Sequence, residues 1–540
     1  MPRRKIPTKA ELIQLQKLYK TDEKIAERLG NITPQLVAYW RRKKNIPRHS
    51  FPKFSEQEIR ELWERFGDDY RCGLELGISK AAFYNWRRKY GIKHKPAFLK
   101  LEQLELNLGG PSRSTGKRHN YGERSVAQKI LAERSGEARV DVGEVVEVEP
   151  DLAISHDDTA DIIERFSDLG LSFVWNPNRL MIPLDHSVPM EAGRLAEAHK
   201  VIRDFVRKQN IRCFYEVTEG ASHQIVVERG HVLPGQLAVG TDRYVSSSGC
   251  IGAFGTSIDE TEMAALWASG KIWLKVPQTL KIIINGKPAV GVFAKDIILF
   301  AAKKLKKNGA NYRAIEFYGT SVSQMTISER FTLTNMAVEI GAKVAICPFD
   351  TTTRRYFLGR TKMPFRPALA DKDAVYEETY EFNVERIKPQ AATPHSIDRV
   401  APVAELEGLP IAQVVIGSCA NGRFDDLRVA ADIFKGKKVD PDVRVLIFPG
   451  SRAVYLEALK KGLIRAFIEA GGTVMNPGIG PYRGDGTSLL APGERCLATT
   501  SDNSRGVMGS PEAEVYLVSP ATAAASALRG VITDPTGFVR

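Results

Sequence analysis

Over roughly residues 7–92, apolar positions recur at helical spacing, interrupted by turn signals at Leu29-Gly30 and Leu76-Gly77. Two copies of one unit lie about 46 residues apart. The first ends Val37-Ala38-Tyr39-Trp40-Arg41-Arg42-Lys43-Lys44-Asn45-Ile46, the second Phe83-Tyr84-Asn85-Trp86-Arg87-Arg88-Lys89-Tyr90-Gly91-Ile92. A helix N-cap precedes each, Thr33 before Pro34 in one copy and Ser79 in the other. In both, the Trp and the Ile six residues later are spaced to anchor the last helix in a small three-helix core, with Arg-Arg-Lys projecting outward. Residues 97–123, through Leu108-Gly109-Gly110-Pro111-Ser112, have the composition of a linker. From about Ser125 to Asp534 the pattern changes, and short apolar strand-like runs alternate with helical ones. That alternation predicts a multi-domain α/β body.

Charge sharpens the boundary. Residues 1–118 carry 27 Lys and Arg against 13 Asp and Glu, whereas the remainder carries 50 against 51. The excess of positive charge therefore belongs to the helical segment alone, which points to a polyanionic partner. At 540 residues the chain has room for three or four domains. No apolar stretch reaches the about 18–20 residues of a membrane span, so no membrane partner and a cytoplasmic location are expected. The six cysteines (72, 213, 250, 347, 419 and 496) show no paired spacing and no C-x-x-C, in keeping with a reducing compartment.

The N-terminal repeat resembles tandem helix-turn-helix modules of the homeodomain-like sort, whose third helix enters the major groove. The resemblance implies double-stranded DNA as a partner. Gln35, Tyr39, Lys80 and Asn85 are then placed to read base edges, and Arg41, Arg42, Lys43, Arg87, Arg88 and Lys89 to hold phosphates. The alternative for the same segment is a structural or protein-binding helical pair.

The body carries a longer series of motifs. They include Ser125-Val-Ala-Gln-Lys-Ile-Leu, Ser155-His-Asp-Asp-Thr, Leu184-Asp-His-Ser-Val-Pro, Ser222-His-Gln and Val292-Phe-Ala-Lys-Asp-Ile-Ile-Leu. Further on come Thr334-Asn-Met-Ala-Val-Glu-Ile-Gly-Ala-Lys, Val414-Val-Ile-Gly-Ser-Cys-Ala-Asn-Gly-Arg, Pro492-Gly-Glu-Arg and Leu517-Val-Ser-Pro-Ala. In this order they resemble the aconitase and isopropylmalate dehydratase large-subunit family. The resemblance implies an all-α tandem helix-turn-helix head on α/β/α aconitase-like domains. The segments expected are 1–50 and 51–96 (modules), 97–123 (linker), 124–400 (domains 1 and 2) and 401–540 (domain 3).

The same resemblance assigns the chemistry. Asp185, His186, His223, Asp242, Asn335 and Glu339 match positions that assist the loss of a substrate hydroxyl as water. Arg243, Tyr244, Asn421, Arg423, Tyr482 and Arg505 are the expected ligand-binding set, with Arg483 beside them. Cys419 matches the first thiolate ligand of a [4Fe–4S] cluster. The turn that supplies the family's other two thiols reads Gly478-Ile479-Gly480-Pro481-Tyr482-Arg483-Gly484, without cysteine. The family's Asp-Ser-His is Asp242-Arg243-Tyr244, and its Asn-Arg-Asn-x-x-Gly-Arg loop is not reproduced near Ser501–Gly506.

One thiolate does not by itself hold a cube, so the expectation is a chain with no cofactor and Cys419 left as a remnant ligand, the alternative being a [4Fe–4S] cluster held in an unusual way. The reading that follows is a DNA-binding regulator responsive to a hydroxy-carboxylate. The alternative is a hydro-lyase or isomerase large subunit acting on a hydroxy di- or tricarboxylate. The chain ends where the family's large subunit ends, so that alternative calls for a separate small subunit to complete the cleft.

Overall fold

A computed structural model describes residues 7–19, 21–29, 32–47, 54–66, 69–76, 78, 80–92, 123–186, 193–361, 363–481 and 489–539. The chain divides into two compact units, 1–116 and 117–540.

The first unit is all-helical. Helices Lys9–Tyr19, Asp22–Leu29 and Pro34–Lys43 enclose Leu12, Ile25, Val37, Trp40 and Ile46. Helices Glu56–Phe66, Asp69–Glu75 and Lys80–Lys89 enclose Ile59, Trp63, Cys72, Phe83 and Ile92. Thr33 caps the third helix by accepting the Leu36 N–H, with Pro34 in the first turn. The cap expected at Ser79 lies outside the described residues. Trp40 is buried as its spacing predicts, but its counterpart Trp86 is only half-buried and stacks on Tyr90 at 5.8 Å. Trp63, two helices earlier, supplies the buried indole of the second core.

The two repeats share a feature that corrects one expectation. Arg41 donates Nε and Nη2 to the two carboxylate oxygens of Asp22, at 3.1 and 2.9 Å, and Nη1 to the Ile46 carbonyl at 3.2 Å. Arg87 does the same with Asp69, at 2.7 and 3.0 Å, and with the Ile92 carbonyl at 2.7 Å. Both forks are spent on the fold, tying the third helix to the second and closing the carbonyl that follows it. Neither arginine is offered to a phosphate. Gln35, Tyr39, Arg42, Lys43, Asn85, Arg88 and Lys89 are exposed, and the Lys80 side chain lies outside the described residues.

The second unit is built on three larger sheets. A parallel five-stranded sheet runs Cys213–Tyr215, Leu180–Pro183, Leu152–Ile154, Leu237–Gly240, Phe254–Ser257. A parallel four-stranded sheet runs Val344–Ile346, Ala314–Tyr318, Thr279–Asn285, Glu378–Asn383. A seven-stranded sheet runs Val400–Pro402, Gln390–Ala392, Glu514–Leu517, Arg495–Ala498, Gln413–Gly417, Arg444–Phe448, Thr473–Val474. Its first two pairings are antiparallel and the rest parallel. Strands such as Leu237–Gly240 and Gln413–Gly417 are buried at every residue, as parallel strands covered on both faces must be. Among the described residues, no helix is long and apolar enough to cross a membrane.

Two local features position the site. Gly417 has φ +110° and packs so closely on the next strand that a Cβ there would meet the Phe448 carbonyl oxygen at 1.9 Å. Only glycine turns the chain there, and Cys419 follows after Ser418. Lys295, fully buried, donates Nζ to the carbonyls of Thr499 and Thr500, at 3.0 and 2.5 Å. Its neighbour Asp296 accepts the N–H groups of Phe293 and Gln390. The Val292-Phe-Ala-Lys-Asp motif therefore clamps the helix Ala294–Leu305 onto the loop that faces the cysteine.

Candidate functional site

Parallel strands deliver their loops at one end, and that is where the polar residues gather. His156 and Asp157 follow Leu152–Ile154, Asp185 and His186 follow Leu180–Pro183, and Asp242 and Arg243 follow Leu237–Gly240. In the seven-stranded sheet, Cys419 follows Gln413–Gly417, and Ser501 and Asp502 follow Arg495–Ala498.

Asp185 is buried and holds His186 through a 2.8 Å contact between Oδ1 and Nδ1, while its Oδ2 accepts the Ser222 N–H at 2.5 Å. Asp157 fixes the turn beneath this pair. Its Oδ2 accepts the N–H groups of Asp185 and His186, at 3.0 and 2.8 Å, and its Oδ1 lies 2.7 Å from His199 Nε2. Burial alone would make His186 harder to protonate. The carboxylates of Asp185, Asp242 and Asp157 outweigh that and hold it up at about 9.

His223, at the start of helix Ser222–Glu228, is buried with Nδ1 3.5 Å from Asp242 Oδ2. Its ring packs against Tyr244 and Phe331 at 5.8 and 5.9 Å. Asp242 also accepts the Tyr244 N–H at 3.0 Å, capping the turn Arg243–Ile251.

Tyr244 donates its hydroxyl to Glu339 Oε1 at 2.6 Å. Arg243 Nη2 lies 3.1 Å from the same oxygen, 3.3 Å from Asp502 Oδ2 and 3.2 Å from the Tyr244 hydroxyl. Burial lifts Glu339 to about 7, with Arg243 pulling it back and Asp502 pushing it further up. On the other side of Asp502, Ser501 donates to Asn335 Oδ1 at 2.7 Å and sits 3.2 Å from Cys419 Sγ. Asn335 in turn donates to Ser247 Oγ at 3.0 Å. Burial pushes the Cys419 thiol up, with hydrogen bonds from Ser501 and Ser418 opposing it.

The six positions matched to hydroxyl loss thus lie in three neighbouring sets of polar contacts with Cys419, Arg243 and Tyr244, and Asp185 reaches the helix of His223 through the Ser222 N–H. The other ligand-binding expectations fare differently. Asn421 spends its amide on Thr332 and Asp426, at 3.2 and 2.9 Å. Arg423 is buried, donates to Thr332 Oγ1 and the Ala420 carbonyl, pairs with Asp426 at 2.8 Å and covers the Phe331 ring. Both are buried in the cysteine loop, which engages the Asn421 amide nitrogen and the Arg423 Nη2, while Asn421 Oδ1 and Arg423 Nε have no hydrogen-bond partner there; the engaged groups correct both residues toward a structural role. Arg505 is exposed. Tyr482 and Arg483 lie outside the described residues. Ile479 is buried beside the cysteine, its carbonyl accepting the Ser418 hydroxyl, so the two motif turns meet there.

A cavity of about 550 Å³ opens onto this network, lined by His156, His186, Thr241, Asp242 and Arg243, with Asp259, Glu260 and Glu262 on its wall. His156 was assigned no role in the sequence reading, although Ser155-His-Asp-Asp-Thr had been singled out. The signal available was a histidine followed by two acids at the end of an apolar run. Ser501 and His199 were missed as well, and no local pattern marks them.

A model of the aconitase family (aconitate hydratase) matches residues 128–409 and 402–530. A probable 3-isopropylmalate dehydratase large subunit of Methanothermobacter thermautotrophicus is 46% identical over 412 residues, covering 76% of this chain and 98% of that protein. A 3-isopropylmalate dehydratase large subunit of Methanopyrus kandleri is 44% identical over 417 residues, covering 77% and 100%. A probable methanogen homoaconitase large subunit, again of M. thermautotrophicus, is 42% identical over 416 residues, covering 76% and 97%.

These likenesses overturn the expectation of a chain with no cofactor, since large subunits of this family ordinarily bind a [4Fe–4S] cluster. The described residues around Cys419 do not make up such a donor set on their own. Ile479 stands at the second thiol position, position 482 lies outside the described residues, and no described group of three His, Cys, Asp or Glu donors includes Cys419. The names of the relatives also move the functional reading away from a DNA-binding regulator and toward the hydro-lyase.

Proposed function

The chain belongs to the aconitase family, and from that premise we propose that it is a hydro-lyase large subunit. It acts on a hydroxy di- or tricarboxylate together with a separate small subunit. The observation that carries this reading is the gathering of three sets of polar contacts at neighbouring loop ends: Asp185 with His186, then His223, Asp242, Tyr244, Glu339 and Arg243, then Asn335 with Ser501 and Cys419. Dehydration needs a proton for the leaving hydroxyl and a base for the carbon-bound proton. Two imidazole–carboxylate pairs, His186–Asp185 and His223–Asp242, supply groups of that kind within one site. Arg243 shares one edge of its guanidinium between Glu339 and Asp502 and is 40% exposed.

The test is turnover. The chain is mixed with small subunits of this family, and the ultraviolet absorbance of the unsaturated acid is followed on isopropylmalate, citrate and homocitrate. Hydration or dehydration of one acid, abolished by Asp185→Asn and His223→Ala, is the result expected. No turnover and no binding of any of the three acids overturns the reading.

A second reading concerns residues 1–96 alone. The two modules are built alike around Arg41–Asp22 and Arg87–Asp69, and each leaves a cationic helix face exposed, Arg42 with Lys43 and Arg88 with Lys89. That repeated face favours double-stranded DNA, with Gln35, Tyr39 and Asn85 beside it for base edges. A salt-sensitive mobility shift of the full chain on duplex DNA supports it, and no shift at low salt removes it.

A further inference from the structure

The near balance of charge over the body hides one local excess. Residues 351–370 carry four arginines and one lysine and no Asp or Glu. Arg354, Arg355, Arg360 and Arg366 are exposed, and among the described residues none of the four has an ion-pair partner. The acids that flank the stretch are engaged elsewhere. Asp350 pairs with the buried Arg330 at 2.5 Å and accepts the Thr353 N–H at 3.0 Å. Asp371 pairs with Lys129 and Arg124, at 2.5 and 3.5 Å. A surface with cations gathered and no counter-charge of its own attracts an anion.

The stretch is held firmly to the body. Asp350 caps the helix Thr351–Phe357, and Phe357, 4% exposed, is turned inward. Phe365 packs against Phe357 and Phe349, with ring centres 5.6 and 5.9 Å apart. Beyond it, the Arg366 carbonyl oxygen lies so close to Gly235 that a Cβ there would meet it at 2.1 Å. Arg360 lies over the Tyr356 ring at 4.5 Å, and Arg354 over Phe349 at 5.9 Å. Contact with a ring face uses none of the N–H donors of a guanidinium. The arginines are therefore presented on a fixed support, and ordering them on a partner costs little.

The charge and the residue type select the partner. Arginine forks pair with phosphate oxygens two at a time, which a lysine cannot do. An interfacial membrane anchor needs a continuous apolar helix face. Here the aromatic side of the helix faces the body, and what projects is single side chains such as Leu358. We propose that this segment is a surface for the phosphate backbone of duplex DNA, contacted by Arg354, Arg355, Arg360 and Arg366. It binds without regard to sequence, because phosphate contacts carry none. The assignment goes beyond the hydro-lyase reading. It shares a partner with the reading of residues 1–96 but stands on separate residues.

The experiment follows the anisotropy of a labelled duplex of about 30 base pairs as the full chain is added, between about 50 and 200 mM salt. To set the helical unit aside, the chain carries Arg42→Ala, Lys43→Ala, Arg88→Ala and Lys89→Ala. Salt-sensitive binding is expected to persist in that background. Adding Arg354→Gln, Arg355→Gln and Arg360→Gln is expected to weaken it at least about 10-fold at the lower salt and to reduce the salt slope by about 3. Circular dichroism and the thermal midpoint establish that each variant is folded. If the triple change fails that check, Arg355→Gln with Arg366→Gln decides, and the slope should fall by about 2. Binding by the parent chain that vanishes in the helical-unit background overturns this proposal and leaves the reading of residues 1–96 standing. No binding by the parent chain removes both. An affinity and slope unchanged by the arginine variants also overturn it, as does arginine-dependent capture by phosphatidylserine–phosphatidylcholine vesicles without DNA binding.

Discussion

Tyr244 and Glu339, 95 residues apart, are joined by a 2.6 Å hydrogen bond from the phenol to Oε1, the same oxygen that Arg243 approaches at 3.1 Å. The phenol holds the carboxylate in place, and the arginine leans on both. Removing the hydroxyl by Tyr244→Phe leaves a buried carboxylate one donor short, at a cost of about 1.5–3 kcal/mol. A lowered urea midpoint with an unchanged slope is expected. Equal midpoints for the variant and the parent protein would show that the contact contributes nothing.

Glu339 also makes stability depend on pH. Burial raises its pKa from 4.5 to about 7, so the folded chain keeps a proton that the unfolded chain releases. The resulting stabilisation is fully present below about pH 4.5 and is lost as pH rises through about 7. Glu339→Gln removes a titrating group without removing the shape. The difference in urea midpoint between variant and parent should therefore shift in favour of the variant from pH 5 to pH 8. A difference that is constant over that range would contradict the raised pKa.

In the helical unit, the sequence pattern Arg-Arg-Lys conceals two different jobs. Arg41 and Arg87 pair with Asp22 and Asp69 at side-chain exposures of 10–14%. Their loss should destabilise the modules by on the order of 2 kcal/mol, between a surface and a fully buried pair. Arg42→Ala and Arg88→Ala should leave stability within about 0.5 kcal/mol. The same two changes should weaken any duplex-DNA binding evenly across sequences and lower its salt slope by about 2. Thermal unfolding and mobility shifts on the four single variants separate these outcomes. The assignment fails if Arg42 and Arg88 prove to be the stabilising pair.

What could be read from the sequence was what local order carries. Helical spacing gave both three-helix cores, and the apolar runs gave the strands whose ends bear Asp185, Asp242 and Cys419. The matched positions from Asp185 to Glu339 converge because parallel strands deliver their loops to one side. Partner choice over long range was not legible. Nothing near Arg41 marks Asp22, 19 residues away, as the group that takes its fork. Nothing near Cys419 marks Ser501, 82 residues on, as its neighbour. His156 was visible as a motif, but its ring contact with His186, at 3.8 Å between centroids, was not.

Arg423 tests the difference between a ligand-binding and a structural arginine. It is 5% exposed, pairs with Asp426 at 2.8 Å, donates to Thr332 and covers Phe331 at 4.5 Å. Burial raises Asp426, and Arg423 is the strongest influence pulling it back. Arg423→Ala would therefore strand a buried carboxylate and open a void on Phe331, destabilising the body by about 3–5 kcal/mol. Arg423→Met keeps the cover over the ring, and Asp426→Asn combined with it removes the stranded charge, so the pair of changes should recover most of that loss. Calorimetric titration of the folded double variant with a hydroxy-carboxylate should give the same dissociation constant as the parent chain. A tenfold weaker dissociation constant with stability restored would return Arg423 to the ligand.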